Sequence, residues 1–339
     1  MKPFQLYMGP LKGFTDYVFR NTLAAHFGGF DLAVAPFIAT KKDNKIKRKY
    51  VNDVLPEKNP GLPVIPQILG KSDQDFIILA NYLFDMGYGT VNWNLGCPYP
   101  MVANKRRGAG MLPYTGTIDR FLDTVIPRLN GKLSIKVRLG WQSAVDLFRL
   151  IPVINQYPLA EVIIHPRTGL QRYEGAPDLD AFEQCLTNIC HPVVYNGDIR
   201  TPDIFYGLAR RFPQVNRWMI GRWCIADPFM AQTIKNGRVA DGDRIRRLKQ
   251  FHAALLENYS AVLDGPGHVL NKMKGLWKYL ALPFKDFSRT LKKIKKETRT
   301  DQYLERVNRF FDDEAQLNAE SPDPDPIAQN GGPDMRAVR

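Results

Sequence analysis

Short apolar, β-branched runs recur along the first two thirds of the chain. Each is closed by turn residues and followed by a stretch of helical character. Eight runs are legible, at residues 4–8, 32–35, 64–68, 90–94, 134–138, 161–164, 193–195 and 218–220. Between them, residues 17–27, 73–86, 118–129, 145–156, 179–188 and 203–212 carry amphipathic or helix-permissive patterns, while 36–63 reads as a mostly charged loop. Strands alternating with helices predict parallel βα units. Eight units over about 235 residues fit a closed (β/α)8 TIM barrel better than an open sheet. No G-x-G-x-x-G opens any helix, so the dinucleotide fingerprint of an open doubly wound sheet is missing.

The alternation stops at the turn-rich connector KNGRVADGDR, which ends at Arg244. From there to about Arg309, Leu, Trp, Tyr and Phe recur at three- and four-residue spacings, which predicts a small all-helical domain broken or kinked at Pro283. The expected division is a barrel over 1–240, a helical domain over 244–312 and a disordered tail over 313–339. The tail rests on the Pro, Gly and Asp content of SPDPDPIAQNGGPDMRAVR.

The 339 residues are 44% hydrophobic and 24% charged, ample for a full globular core. No apolar run approaches the ~18 residues a membrane span needs. The start, MKPFQLYMGP, lacks a signal-peptide pattern. Four cysteines in a chain this long do not form a disulfide framework, and Cys185, Cys190 and His191 have poor spacing for zinc. A reduced, cytoplasmic, metal-free protein is expected, and a monomer. The net charge is +13 and is concentrated. Residues 41–49 carry a net +5 and residues 265–300 a net +8, which together hold the whole excess. Two such patches point to a polyanion partner, nucleic acid above all.

The densest chemistry lies in VNWNLGCPYPMVANKRRGAGMLPYTG, residues 91–116. Cys97 follows a strand end on a Gly- and Arg-rich loop. Read alone, it would be a small buried hydrophobe. Its surroundings argue for chemistry. In a (β/α)8 barrel the active site lies at the C-terminal strand ends, and seven of the eight ends here are polar. They carry Pro10-Leu11-Lys12-Gly13, Gln67, Asn94 with Cys97, Lys136-Val137-Arg138, His165-Pro166-Arg167-Thr168, Asn196-Gly197-Asp198 and Gly221-Arg222. Gly-rich turns after strands seven and eight, with an arginine, suit a phosphate. Lys136 can set a cation against an electron-rich ring, and Gln67 and Asn94 can hydrogen-bond ring amides. This combination suits flavin mononucleotide (FMN), whose reduced form the cation would stabilise.

With these residues assembled, the chain resembles the tRNA-dihydrouridine synthases over roughly residues 4–300. The resemblance is carried by Pro10-Leu11-Lys12-Gly13 with Thr15-Asp16 and Phe19-Arg20, and by Gln67 with Gly70. It continues through Asn94-Leu95-Gly96-Cys97-Pro98, Arg107-Gly108-Ala109-Gly110 and Lys136-Val137-Arg138. His165 with Arg167-Thr168, Asn196-Gly197-Asp198 and Gly221-Arg222 complete it. Two stretches, Lys136 to Trp141 and Gly267 to Leu280, look closest to the bacterial DusC branch, which reduces uridine 16 of the D-loop. Two positions depart from the family pattern: Leu11 stands where methionine is usual, and Pro166 where glycine is usual.

The resemblance implies an FMN-bound barrel, NADPH as reductant, and a helical domain that grips tRNA. Pro10, Leu11, Lys12, Gln67, Lys136, His165, Asn196, Gly197, Asp198, Gly221 and Arg222 would hold the flavin. Hydride would pass from the flavin to uracil C6 of a flipped-out uridine, and Cys97 would give a proton to C5. A thiol with its ordinary pKa near 8.5 is protonated at neutral pH, which suits donation. Asn94, Arg106, Arg107, Arg138 and Arg167 would meet the substrate. Lys272, Lys274, Lys292, Lys293, Lys295, Lys296 and Arg299 would meet RNA backbone. Two other readings compete: a free-pyrimidine FMN oxidoreductase of the dihydroorotate or dihydropyrimidine dehydrogenase type, and a catalytically silent RNA-binding protein.

Overall fold

The computed structural model describes residues 2–41, 46–237 and 241–318. Ten short strands form one parallel sheet: β1 (Gln5–Met8), β2 (Leu32–Val34), β3 (Ile38–Ala39), β4 (Val64–Ile65), β5 (Gln67–Leu69), β6 (Thr90–Leu95), β7 (Lys132–Gly140), β8 (Val162–Thr168), β9 (Val193–Tyr195) and β10 (Arg217–Ile220). These are eight staves. The second is β2 and β3, interrupted around Pro36, and the third is β4 and β5, interrupted at Pro66, which has no N–H for the ladder. The ring closes because β1 pairs with both β10 and β2, β2 with β4, and β5 with β6. The expected (β/α)8 barrel is therefore the fold.

Two strands run further than the sequence pattern predicts. β7 continues to Gly140, and β8 continues through His165 and Arg167 to Thr168. The register between them slips after Arg138–His165, so that Gly140 pairs with Thr168. Pro166 lies in this interval and cannot donate to the ladder, which accounts for a bulge there.

Outside the barrel lie α1 (Tyr17–His26), α2 (Asp73–Asp85), α3 (Pro100–Ala103), α4 (Thr115–Val125), α5 (Val145–Ile154), α6 (Leu179–Asn188), α7 (Pro202–Arg211), α8 (Trp223–Ala226) and α9 (Met230–Asn236). Side-chain caps start several of them: Asp16, Ser72, Asp178 and Thr201 each accept an N–H from the first turn. The main core fills the layer between strands and helices, with Trp93 stacked on Phe121 at 4.0 Å. The loop expected between 36 and 63 is largely pinned down. Arg20, fully buried, donates to Asp53, Asn59 and two backbone carbonyls.

The chain then becomes helical: α10 (Asp241–Ser260), α11 (Pro266–Leu280), α12 (Phe287–Lys296) and α13 (Thr300–Arg309). Pro283 sits in the turn between α11 and α12. Trp277, Tyr303, Phe310 and Phe311 form the interior, where Trp277 donates to the Tyr303 hydroxyl at 2.9 Å. The helices dock on the loop after β1 and on α1. Tyr259 donates to Asp16, Asn258 to Thr22, and Phe14 meets Tyr279 edge-on. Of the tail expected from 313, residues up to Asn318 are held against the helical domain: Leu317 bridges Phe284 and Asn318 donates to the Phe284 carbonyl. The rest of that segment lies outside the described residues, as do Lys42 and Lys45 of the first basic patch. Among the described residues no helix is long and apolar enough to cross a membrane.

Candidate active site

The C-terminal strand ends surround a cleft of about 980 Å³, open to solvent. All eleven residues expected to hold a cofactor line it: Pro10, Leu11, Lys12, Gln67, Lys136, His165, Asn196, Gly197, Asp198, Gly221 and Arg222. Asn94, Cys97 and Arg138 line it too. Strand alternation explains this convergence. Asn94 lies two residues after Asn92 on β6, and Lys136 two after Ser134 on β7, so each pair shares the inward face.

Cys97 is buried against Leu69 and Val102, with Phe37 and Tyr99 packed beside it. Burial pushes its thiol above the ordinary range, outweighing the backbone N–H of Tyr99 and the charges of Arg138 and Lys136, which pull the other way. The thiol is therefore protonated at neutral pH. The glycines downstream explain how the loop folds onto it. Gly108 has φ +54°, and a Cβ there would lie 2.6 Å from the Cys97 carbonyl oxygen. A Cβ at Gly110 would lie 2.2 Å from the Ala103 carbonyl. The Ala109 N–H donates to the Cys97 carbonyl at 3.0 Å.

Asn94 holds the start of this loop. Its Oδ1 accepts the N–H groups of Gly96 (3.1 Å) and Cys97 (2.9 Å), and its Nδ2 donates to Gln67 Oε1 at 2.7 Å. Arg138 holds the other side, donating to the carbonyls of Gly96 and Thr168. Arg138 and Asn94 thus spend much of their capacity on scaffolding as well as facing the cleft.

Lys136 is placed among cations. Burial first, then repulsion from Arg138, push its ammonium down to about 7, with Cys97 opposing. His165 lies 3.2 Å from an Arg167 guanidinium nitrogen. A guanidinium only donates, so His165 Nε2 is the acceptor and Nδ1 carries the proton. Burial, followed by the charges of Arg138, Lys136, Arg167 and Arg222, holds this histidine neutral. Asp198 is the lone carboxylate lining the cleft among the described residues. Burial disfavours its charge, but Arg167 and Arg222 outweigh that and hold it below the usual carboxylate range. It sits at φ +32°, a left-handed backbone that its two arginine contacts maintain.

Several residues expected to meet substrate lie elsewhere. Arg167 is fully buried and donates to both Asp198 oxygens and the Gly175 carbonyl, so it braces the loop after β9 from behind the cleft. Arg106 is exposed on the Cys97 loop with its guanidinium over Tyr114, and Arg107 is half-buried; neither lines the cleft. Lys272 donates to Asp16 and the Gly13 carbonyl, so it fastens α11 to the β1 loop. Lys274 is half-buried on the same helix. Lys292, Lys295 and Lys296 are exposed on α12, Lys293 pairs with Glu314, and Arg299 pairs with Asp301. Phe37, Tyr99, Tyr173 and Trp223 line the cleft and were not singled out from the sequence. Tyr173 lies under both Arg222 (4.5 Å) and Arg138 (5.4 Å). Its one signal was an aromatic residue within the otherwise polar QRYEG stretch.

The donor set fits a flavin. Amide N–H groups, Lys12, Lys136, Arg138 and Arg222 outnumber one carboxylate, and the space a Cβ would take at Gly221 is empty. Residues 7–315 match the family described as dihydrouridine synthase (Dus). A probable tRNA-dihydrouridine synthase of Rhodobacter capsulatus is 28% identical over 268 residues, covering 78% of this chain and 81% of its own length. A tRNA-dihydrouridine(16) synthase of Haemophilus ducreyi is 26% identical over 244 residues, covering 68% and 73%. Among solved structures, histamine dehydrogenase from Rhizobium sp. 4-9 superposes with a TM-score of 0.55 at 12% identity, over 75% of this chain and 49% of that one. That likeness shows the fold alone. A match over nearly the whole chain, joined to a cleft built from the same motifs, makes the chain a member of the dihydrouridine synthase family.

Proposed function

We propose that this protein reduces a uridine of tRNA to 5,6-dihydrouridine, with FMN as its bound cofactor and NADPH as reductant. The observation that carries the reading is one cleft holding a protonated, buried Cys97 thiol, the Lys136 amine and the amides Gln67 and Asn94. FMN, when bound, supplies the hydride that the uracil ring takes up at C6. Gln67, Lys136 and His165 would hold its ring, and Asn196, Gly197, Gly221 and Arg222 its phosphate. Cys97 Sγ–H gives a proton to C5, and the Tyr99 N–H and the Arg138 and Lys136 charges favour the thiolate that remains. A base enters such a cleft only when turned out of its stack. Tyr173, with two arginines over its ring, offers it an aromatic wall.

The basic face of α12 would track RNA phosphates. We assign uridine 16 as the target, on the stretches Lys136 to Trp141 and Gly267 to Leu280 and on the similarity to the tRNA-dihydrouridine(16) synthase of Haemophilus ducreyi. A tRNA substrate places the work in the cytoplasm. The test is purification, a visible spectrum, and dihydrouridine formation on unmodified tRNA with NADPH, mapped by position. Yellow protein that forms dihydrouridine at position 16 is the expected result. Yellow protein that ignores tRNA and turns over free pyrimidines would overturn the substrate, and colourless protein that cannot be reconstituted would overturn the cofactor.

A further inference from the structure

The interior of a (β/α)8 barrel is usually packed with branched aliphatic side chains in layers. At the floor of this cleft, on the β5–β7 side, three such positions are polar. Gln67, Asn92 and Ser134, from the adjacent strands β5, β6 and β7, are all fully buried. They form a chain. Gln67 Nε2 donates to Asn92 Oδ1 at 2.8 Å, and Asn92 Nδ2 donates to Ser134 Oγ at 2.8 Å. The Ser134 hydroxyl in turn reaches the Val91 carbonyl at 3.4 Å.

The direction of this chain follows from its upper end. Backbone N–H groups only donate, so the Asn94 atom that receives Gly96 and Cys97 must be Oδ1. Asn94 Nδ2 therefore faces Gln67, which must answer with Oε1. Gln67 is then left with Nε2 toward Asn92, and Asn92 with Nδ2 toward Ser134. Every bond points the same way, from the Cys97 loop down into the barrel. Bonds aligned like this polarise and strengthen one another in a low dielectric.

Burying two amides and a hydroxyl in a layer that leucine or valine would fill more cheaply is not a stability device. We infer that Asn92 and Ser134 are positioning residues that fix the hydrogen-bond polarity of the cleft. Asn94 Nδ2 sets Gln67 with Oε1 toward it, and Asn92, by accepting one Nε2 hydrogen, adds a second hold against the Gln67 amide turning over. The remaining amide hydrogens of Gln67 and Asn94 then serve as donors, so the ring edge bound there must present carbonyl or other acceptor atoms. The inference rests on the flavin reading given above.

The test compares Asn92→Leu with Asn92→Asp. Leucine fills the layer but offers Gln67 nothing. Aspartate offers an acceptor whether or not it is protonated. The readouts are the melting temperature, the FMN dissociation constant from quenching of flavin fluorescence on reconstitution, and kcat separated from KM for RNA. The leucine variant should melt lower than the parent, because the buried Gln67 Nε2 hydrogen loses its acceptor, and it should also bind FMN about tenfold more weakly and show a flavin spectrum shifted from the parent's. The aspartate variant should lie within about threefold of the parent. Ser134→Ala gives a second, milder probe, with about threefold weaker FMN binding even if Asn92→Leu fails to fold.

FMN binding by the leucine variant equal to the parent's would overturn the inference, as would equal damage from leucine and aspartate. If Asn92→Leu fails to fold, an unchanged Ser134→Ala would do the same. Parent protein that takes up no flavin would overturn the cofactor reading itself, so the two failures are distinguishable.

Discussion

Replacing Lys136 by methionine should stabilise the flavin-free protein while disabling it. The ammonium is held on the inward face of β7, where burial and Arg138 lower its pKa from 10.5 to about 7. At about 1.4 kcal/mol per decade of proton affinity, that gap sets a ceiling of about 5 kcal/mol on what the charge costs the fold. The sign follows from proton counts. Between pH 7 and 10.5 the unfolded chain holds this proton and the folded chain has released it. Stability contributed through Lys136 therefore rises with pH across that window, and the cost is complete below pH 7. Water entering the open cleft lowers the ceiling, so a gap of at least about 2 kcal/mol is expected at pH 6. Urea unfolding of flavin-stripped parent and Lys136→Met at pH 6, 8 and 10 measures it. The methionine variant should be the more stable at pH 6, with the gap closing toward pH 10. Equal stability at pH 6, or a gap that widens with pH, would refute the desolvation argument. The same variant should lose most turnover, since an apolar side chain cannot balance charge on a reduced ring.

Cys97→Ala should retain flavin and RNA and lose about 100-fold or more in turnover, measured as dihydrouridine formed per flavin. Gly108→Ala should damage the same step from a distance, because its Cβ would collide with the Cys97 carbonyl and its φ of +54° suits glycine; kcat should fall while flavin affinity holds. Replacing Lys292, Lys293, Lys295 and Lys296 together by serine should weaken RNA binding and flatten its salt dependence by up to about four in log–log slope, read by binding titrations between low and moderate salt. Lys272→Ala should instead lower the melting temperature, since that side chain ties α11 to Asp16 and Gly13.

The barrel was legible because its signal is local and repeated: apolar runs, turn residues and helices with one period. The cleft was legible for a related reason. A strand end is a fixed place in this fold, so polar residues read there converge without any knowledge of distance. What the pattern could not show was which polar side chains turn away from the opening. Arg167 lies on β8 two residues after His165, yet its guanidinium is consumed by Asp198 and Gly175, partners 31 and 8 residues distant in sequence. Lys272 was one of ten basic residues in a charged stretch, and only the docking of α11 on the β1 loop reveals its carboxylate. Tyr173 was missed because loops after strands carry no periodicity. Asn92 was missed for the opposite reason: inside a run of β-type residues, a buried asparagine looks like part of the strand.

The charge distribution separates two tasks that one basic protein must perform. The cleft cations are held by the fold: Asp198 orders Arg167 and Arg222, backbone carbonyls order Arg138, and burial constrains Lys136. Their positions are set before anything binds, which suits a site that must meet charge as it develops. The lysines on α12 are different. Three are exposed, and a flexible ammonium contacts a phosphate of any sequence equally well. Affinity for RNA should therefore come largely from the helical end and selectivity from the barrel. If so, transferring α10–α13 between family members that modify different positions would move the target uridine by changing how the RNA lies across the cleft. Altering Asn94, Arg138 or Tyr173 would change the rate at whichever uridine arrives. The two kinds of variant should sort cleanly into changes of mapped position and changes of kcat.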